Sequence, residues 1–215
     1  MKVIIIGATG ATGRELVLQL LANNQVEQVT ALVRKSFFPP DRKLKEVLID
    51  FDHLMEYSHL FHADVAISTL GTTLKDAGSK ESQWKVDYDY NLQFARMAKS
   101  NQVYSFVLLS ASHASPNSKF FYSKMKGQLE EAIKALQFPK LIILQPGPIQ
   151  RPNSNRWAEN VSVKIIKAFN KIGLLKTYTP IHTMDLAKVM LLVLLEDQDE
   201  SLSIYDEKSI IAKID

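Results

Sequence analysis

The segment Gly7-Ala8-Thr9-Gly10-Ala11-Thr12-Gly13 lies between the apolar run Val3 to Ile6 and a stretch whose Leu16, Val17, Leu20 and Leu21 share one helical face. The apolar run has the length and flanks of a buried parallel strand. Strand, glycine turn and helix start, in that order, make an anion site. The first N–H groups of a helix have no intrahelical acceptor, and the positive end of the helix dipole lies behind them. Glycine suits the turn because a Cβ would block the chain reversal, the approach of a pyrophosphate, or the contact of helix with strand. The G-x-x-G-x-x-G spacing is not the commoner G-x-G-x-x-G, but its flanks are the ones the mechanism needs. A glycine-rich turn without a ligand is the competing reading.

Apolar runs and helical patterns alternate beyond this point. Strands are expected at Val29–Val33, Glu46–Asp50, Asp64–Ser68, Tyr104–Ser110 and Leu141–Gln145, with helices between them, notably Asp87–Lys99 and Ser123–Leu136. This order predicts an α/β fold: a doubly wound parallel sheet with helices on both faces. Pro146-Gly147-Pro148 breaks the pattern, and helices near Glu159 to Lys171 and Asp185 to Leu195 follow. At 215 residues the chain is read as one domain, 1–215, in which about 147–215 forms a small C-terminal cap on the substrate side.

Composition narrows the functions open to the chain. With no cysteine it has no disulfide, no thiolate metal site and no cysteine nucleophile. The net charge is +3 with dispersed lysines, so no nucleic-acid footprint is expected. The longest apolar run, Val189 to Leu195, is too short to span a membrane. Met1-Lys2 leads straight into a strand with no secretory pattern, and a cytoplasmic location is expected.

In the NAD-binding version of this architecture, an acidic side chain after the second strand takes the ribose 2′-hydroxyl. Here that strand ends in Arg34-Lys35, two cations suited to a 2′-phosphate, so NADP(H) is the expected cofactor. A solvated basic loop is the alternative. Asp50 could accept from an adenine amino group with Phe51 alongside, or Asp50 could simply cap the following helix. Leu70-Gly71-Thr72-Thr73 falls at the carboxyl edge, where such sheets bind ligands.

Tyr122 and Lys126 stand four apart, on one face of a helix. A nearby cation stabilises phenolate, fitting the tyrosine to exchange a proton with a carbonyl or alcohol oxygen. Ser110, at the end of the fifth strand, or Ser112 could bond the same oxygen. A tyrosine four residues before a lysine is common by chance; its order after the glycine turn and the serine strand end is what carries weight.

These residues, with Val86-Asp87-Tyr88-Asp89-Tyr90 and Pro146-Gly147, resemble the short-chain dehydrogenase/reductase superfamily. The likeness is to its atypical branch, and within that to the family of the Tat-interacting oxidoreductase, and it runs from the first strand to about Arg156. It implies a Rossmann-like fold with Tyr122 as general acid/base, Lys126 on the nicotinamide ribose and Ser110 orienting the carbonyl. It further implies cofactor contacts from Gly7, Thr9, Gly10, Ala11, Thr12, Gly13, Arg34, Lys35, Leu70, Gly71, Ile149 and Arg156. Two departures stand out. Asp87, with Asn91 a turn later, occupies the neighbourhood of a relay asparagine, and Ala111 stands where a second serine is frequent.

The remaining signals are weaker. His59 and His62 could share a helix face but lack a H-E-x-x-H carboxylate, so no metal is expected. His113 follows the serine strand end and borders either the pocket or solvent. Val163 to Lys176 is amphipathic, reading as a core-packed helix or a face for anionic lipid. The expected activity is NADP(H)-dependent hydride transfer to or from a small carbonyl or alcohol. The rival readings are an NADPH-binding regulator acting through a protein partner, and an epimerase. The chain is compatible with a homodimer.

Overall fold

The computed structural model describes residues 1–150, 180–196 and 200–214. β1 (Lys2–Ile6) carries the alternation that splits the molecule into two cores. Val3 and Ile5 pack with Leu16 and Leu20 of α1 (Ala11–Ala22), while Ile4 and Ile6 join Leu32, Phe94 and Phe106 on the opposite face. A strand buried on both faces reads as a continuous apolar run, which is how Val3 to Ile6 appears in the sequence.

β2 (Gln28–Val33), β3 (Leu44–Leu48), β4 (Val65–Ser68), β5 (Ser105–Leu109), β6 (Lys140–Leu144), a two-residue β7 (Ile149–Gln150), β8 (Ile181–His182) and β9 (Leu202–Tyr205) follow. Among the described residues the main sheet has seven strands in the order β3-β2-β1-β4-β5-β6-β9, and every pair in it is parallel. β7 and β8 form a separate parallel pair. The doubly wound parallel sheet is therefore present. Between β3 and β4, 3₁₀ turns span Phe51–Leu60 and kink at His53 and Tyr57. The connection after β4 holds α2 (Leu74–Ala77), α3 (Lys80–Trp84), a π-helical turn at Lys85–Asp89 and α4 (Tyr90–Ser100). α5 (Phe121–Lys134) precedes β6, α6 (Thr183–Leu195) precedes β9, and α7 (Glu207–Ala212) ends the described chain.

Three elements differ from the sequence expectation. The third strand runs two residues earlier, at Leu44–Leu48, because it is an edge strand with only partial burial and its apolar residues do not fix its frame. The helix expected from Asp87 begins instead with the wide turn Lys85–Asp89. Leu202–Tyr205, unmarked in the sequence, is the seventh strand; it pairs with β6 through Ile143↔Ile204, and α6 buries Leu186 and Met190 in the α1 core. The helix expected near Glu159 to Lys171, the amphipathic stretch Val163 to Lys176 and Arg156 lie outside the described residues. Among the described residues no helix is long and apolar enough to cross a membrane.

The sheet order reverses between β1 and β4, which pair through Ile6↔Ser68. The crevice outside the carboxyl ends of these strands is where open α/β sheets take ligands.

Candidate active site

Gly7 leaves β1 with φ +77°, and a Cβ on it would lie 2.4 Å from Leu70 N. A Cβ on Gly13 would lie 2.2 Å from Gly7 O, so this glycine sets how closely α1 approaches the strand end. Gly10 N donates to Gly7 O at 2.9 Å and caps α1 without any side-chain hydrogen bond. No acidic side chain lies in the first turn of α1. The amides of Ala11, Thr12 and Gly13 therefore have neither an intrahelical acceptor nor a competing carboxylate.

This turn forms one wall of a cleft of about 190 Å³. Gly10, Ala11 and Thr12 line it from α1, and Leu70 and Gly71 from the loop after β4. Ser110, Tyr122, Lys126 and Ile149 complete it from the far side. Tyr122 is 42 % exposed, whereas Lys126, one helical turn later, is only 2 % exposed. Its Nζ lies 3.5 Å from Leu109 O. Burial pulls the Lys126 ammonium below the usual lysine range, opposed by the charges of Asp87 and Glu130.

Sequence reasoning placed Asp87 near the site without assigning it a role. It lines the cleft, 1 % exposed, and its Oδ2 accepts from Thr72 N at 2.8 Å. Burial pushes the Asp87 carboxyl above the usual aspartate range; the Lys126 charge and the Thr72 N–H oppose this. The wide turn displaces carbonyls from ordinary helix partners, and Asn91 Nδ2 donates to Val86 O at 2.9 Å and Asp87 O at 3.2 Å. Asn91 Oδ1 accepts from Ser68 Oγ at the end of β4.

Two further residues were missed altogether. Ser110 Oγ donates to Glu130 Oε1, and Gln145 Nε2 donates to Glu130 Oε1 at 3.0 Å and Oε2 at 2.9 Å. Glu130 is 3 % exposed, on the face of α5 that also buries Lys126. A carboxylate four residues after Lys126 on an otherwise apolar face was the available signal.

A second recess, of about 500 Å³, opens beside the turn and is lined by Thr9, Arg14, Arg34, Lys35, Ser36 and Phe37. Arg14, also missed, donates from Nε to Thr9 O at 2.7 Å, and its guanidinium carbon lies 3.9 Å from the centre of the Phe37 ring. Glu46 of β3 shapes the loop, accepting from Ser36 Oγ at 2.5 Å and Phe37 N at 2.9 Å. Three cations thus converge on a concave surface, the arrangement that binds phosphate.

Asp50 and Phe51 line neither recess. Asp50 Oδ1 accepts from Asp52 N at 2.9 Å, the capping role, and the buried Phe51 ring packs 5.4 Å from that of Tyr90. Ser112 is tied through its N–H to Pro146 O, and His113 is exposed.

The sequence pattern of the HIM1 family matches residues 17–179. The mitochondrial protein fmp52 of Emericella nidulans is 37 % identical over 181 residues, 80 % of this chain and 77 % of its own length. FMP52 of Saccharomyces cerevisiae, also named mitochondrial, is 35 % identical over 73 % of this chain and 70 % of its own length. Protein HTATIP2 of Rattus norvegicus is 35 % identical over 68 % of this chain and 62 % of its own length. Among solved structures, the oxidoreductase ylbE of Lactococcus lactis superposes with a TM-score of 0.72 at 19 % identity, covering 99 % of this chain and 96 % of its own. MoeE5 in complex with UDP-glucuronic acid and NAD gives 0.73 at 15 % identity, over 96 % of this chain and 76 % of its own. The fungal names correct the expected cytoplasmic location and point to mitochondria. A missing secretory pattern bears on secretion alone, and a cysteine-free composition suits any reducing compartment.

Proposed function

The chain belongs to the HIM1 family, among the atypical short-chain dehydrogenase/reductases of Rossmann fold, and from this we propose that it is an NADP(H)-dependent oxidoreductase interconverting a small carbonyl compound and its alcohol. The supporting observation is one cleft that contains both the uncapped start of α1 and the side chains of Ser110, Tyr122 and Lys126. The donor set fits a dinucleotide. The amides of Ala11, Thr12 and Gly13 would take the diphosphate, and Arg34, Lys35 and Arg14 the 2′-phosphate. Ile149 would border the nicotinamide, and the likeness to the superfamily adds Arg156.

The bound nicotinamide would supply or remove the hydride. Tyr122, whose side chain reaches solvent in the cleft, would deliver or withdraw the proton at the reacting oxygen. Lys126 would favour its phenolate from the same helix face and hold the ribose, while Asp87 and Glu130 balance the buried ammonium. Thr72 N–H keeps the Asp87 carboxyl in the cleft wall.

Fluorescence titration with NADPH and NADH, followed by turnover of aldehydes and ketones, tests this reading. NADPH is expected to bind about tenfold or more tighter than NADH. Tyr122→Phe is expected to keep that affinity and lose about 10²–10⁴-fold in turnover. Equal affinity for the two dinucleotides overturns the 2′-phosphate assignment. Tight NADPH binding without turnover of any substrate overturns the reductase in favour of a cofactor-binding regulator.

A further inference from the structure

Two carboxyl groups and one ammonium are buried together where α5 meets the wide turn: Asp87, Glu130 and Lys126, each no more than 3 % exposed. Glu130 is set back from the cleft, and both of its oxygens accept from Gln145 Nε2, at 3.0 and 2.9 Å. Asp87 stands in the cleft wall itself. Its Oδ2 accepts from Thr72 N at 2.8 Å, whereas among the described residues its Oδ1 takes no hydrogen bond. A Cβ on Gly71 would crowd that oxygen at 3.1 Å, so the glycine leaves room beside it. Oδ1 is therefore the atom on which a proton can sit. The charged and titratable groups that face it, Lys126, Glu130 and Tyr122, all come from α5. Lys80 and Glu81 of α3, and Lys85 and Asp89 of the wide turn, are exposed to solvent.

With both carboxyl groups ionised, the cluster carries one negative charge more than Lys126 cancels. With Asp87 protonated it is neutral. Burial favours the protonated form of Asp87 and the Lys126 charge favours the ionised one, so these two influences oppose each other. A third charge in the cleft can then decide between them. The nicotinamide ring is such a charge, being neutral when reduced and positive when oxidised. A positive ring favours the ionised form of a neighbouring carboxyl, and by reciprocity the ionised carboxyl favours the positive ring.

We infer that Asp87 is a redox-linked acid, which holds a proton on Oδ1 while NADPH is bound and gives it up when oxidised NADP is bound. The inference rests on the dinucleotide reading above. In a carbonyl reduction the carbon takes a hydride from NADPH, the C=O π pair goes to the oxygen, and that oxygen takes the Tyr122 proton. Asp87 releases one proton and Tyr122 regains one, so the loaded protein draws none from solvent until its products leave. In the reverse direction Asp87 takes up the proton that alcohol oxidation sets free. Linkage counts these protons whatever route they follow.

Calorimetric titration of the full chain with oxidised NADP and with NADPH, from about pH 5 to pH 9, tests this coupling. The 2′-phosphate titrates near pH 6, but it is common to both ligands and cancels in the ratio of their dissociation constants, Kd(NADPH)/Kd(NADP). For the wild type that ratio is expected to rise about tenfold or more with pH over this range. In Asp87→Asn, which still accepts from Thr72 N–H, it is expected to change less than about twofold. The wild type also decides alone. Where the ratio climbs most steeply, oxidised NADP should release about half a proton or more beyond what NADPH releases, read from titrations in buffers of different ionisation enthalpy. Equal proton release with the two dinucleotides overturns the inference and leaves the cofactor reading standing. A pH-dependent ratio that persists in Asp87→Asn gives the proton to Lys126 or Tyr122 and likewise overturns it. Failure of both dinucleotides to bind overturns the cofactor reading, and the inference with it.

Discussion

Thr72 N–H donates to Asp87 Oδ2 at 2.8 Å, tying the loop that leaves β4 to the wide turn that opens α4. Burial raises the Asp87 pKa above its ordinary 3.8, with the Lys126 charge opposing. The folded chain then holds this proton more tightly than the unfolded chain. Stability from this group is lost as pH rises from 3.8 through the raised value. Asp87→Asn lacks that loss and can still accept from Thr72 N–H. The variant is therefore expected to gain on the wild type between about pH 4 and pH 7, read as the difference in Tm at the two values. A difference that does not change with pH shows that Asp87 titrates as it does in the unfolded chain.

Lys126 is the cation shared by two buried carboxylates, Asp87 and Glu130. Lys126→Met leaves both without it, and stability is expected to fall by about 1–3 kcal/mol in urea denaturation. Adding Glu130→Gln to that variant should recover part of the loss, because one of the stranded charges is gone. A loss below about 1 kcal/mol means that solvent, not Lys126, compensates the pair.

The strands buried on both faces were legible because they have no polar side to confuse the reading: Val3–Ile6, Val65–Ser68 and Leu141–Leu144 stand out as apolar runs. Edge strands were not. Leu202–Tyr205 alternates between half-buried and exposed residues, and β3 is nowhere fully buried, so neither frame is set by the core. The glycine turn, Tyr122, Lys126 and Ser110 were legible as spacing along the chain. Glu130 and Gln145 were not, because their contact with Ser110 exists only once α5 has packed beside β5 and β6. Asp50 was open to two readings, since a carboxylate at a strand end suits a ligand and a cap equally well, and its Oδ1 takes the Asp52 N–H of the cap.

Gly7 and Gly78 both have positive φ, +77° and +82°, but only Gly7 is crowded. An added Cβ at Gly7 meets Thr69 C and Leu70 N at 2.4 Å; at Gly78 it meets nothing within 4 Å. Gly78→Ala is expected to cost about 1–2 kcal/mol, the left-handed backbone alone. Gly7→Ala should cost several times more and displace the turn, abolishing dinucleotide binding in any fraction that folds. Comparable denaturation midpoints for the two variants show that the strand end yields to the methyl group.

Arg14 ties the second recess to the glycine turn: its Nε holds Thr9 O at 2.7 Å and its guanidinium lies over Phe37, beside Arg34 and Lys35. Arg34 has no such tether among the contacts described, so the two arginines should fail differently. Arg34→Ala is expected to lower NADPH affinity by about 10–100-fold and leave NADH affinity unchanged, since only the 2′-phosphate contact is lost. Arg14→Ala should weaken both dinucleotides, because the Thr9 tether that steadies the diphosphate turn goes with the charge, and NADPH should suffer more. Arg14→Lys keeps the charge but not the planar Nε donor, so it should restore part of the NADPH loss and none of the NADH loss. Fluorescence titrations of the three variants with both dinucleotides separate these outcomes; an Arg14→Ala variant with unchanged NADH affinity shows that the tether plays no part in holding the diphosphate.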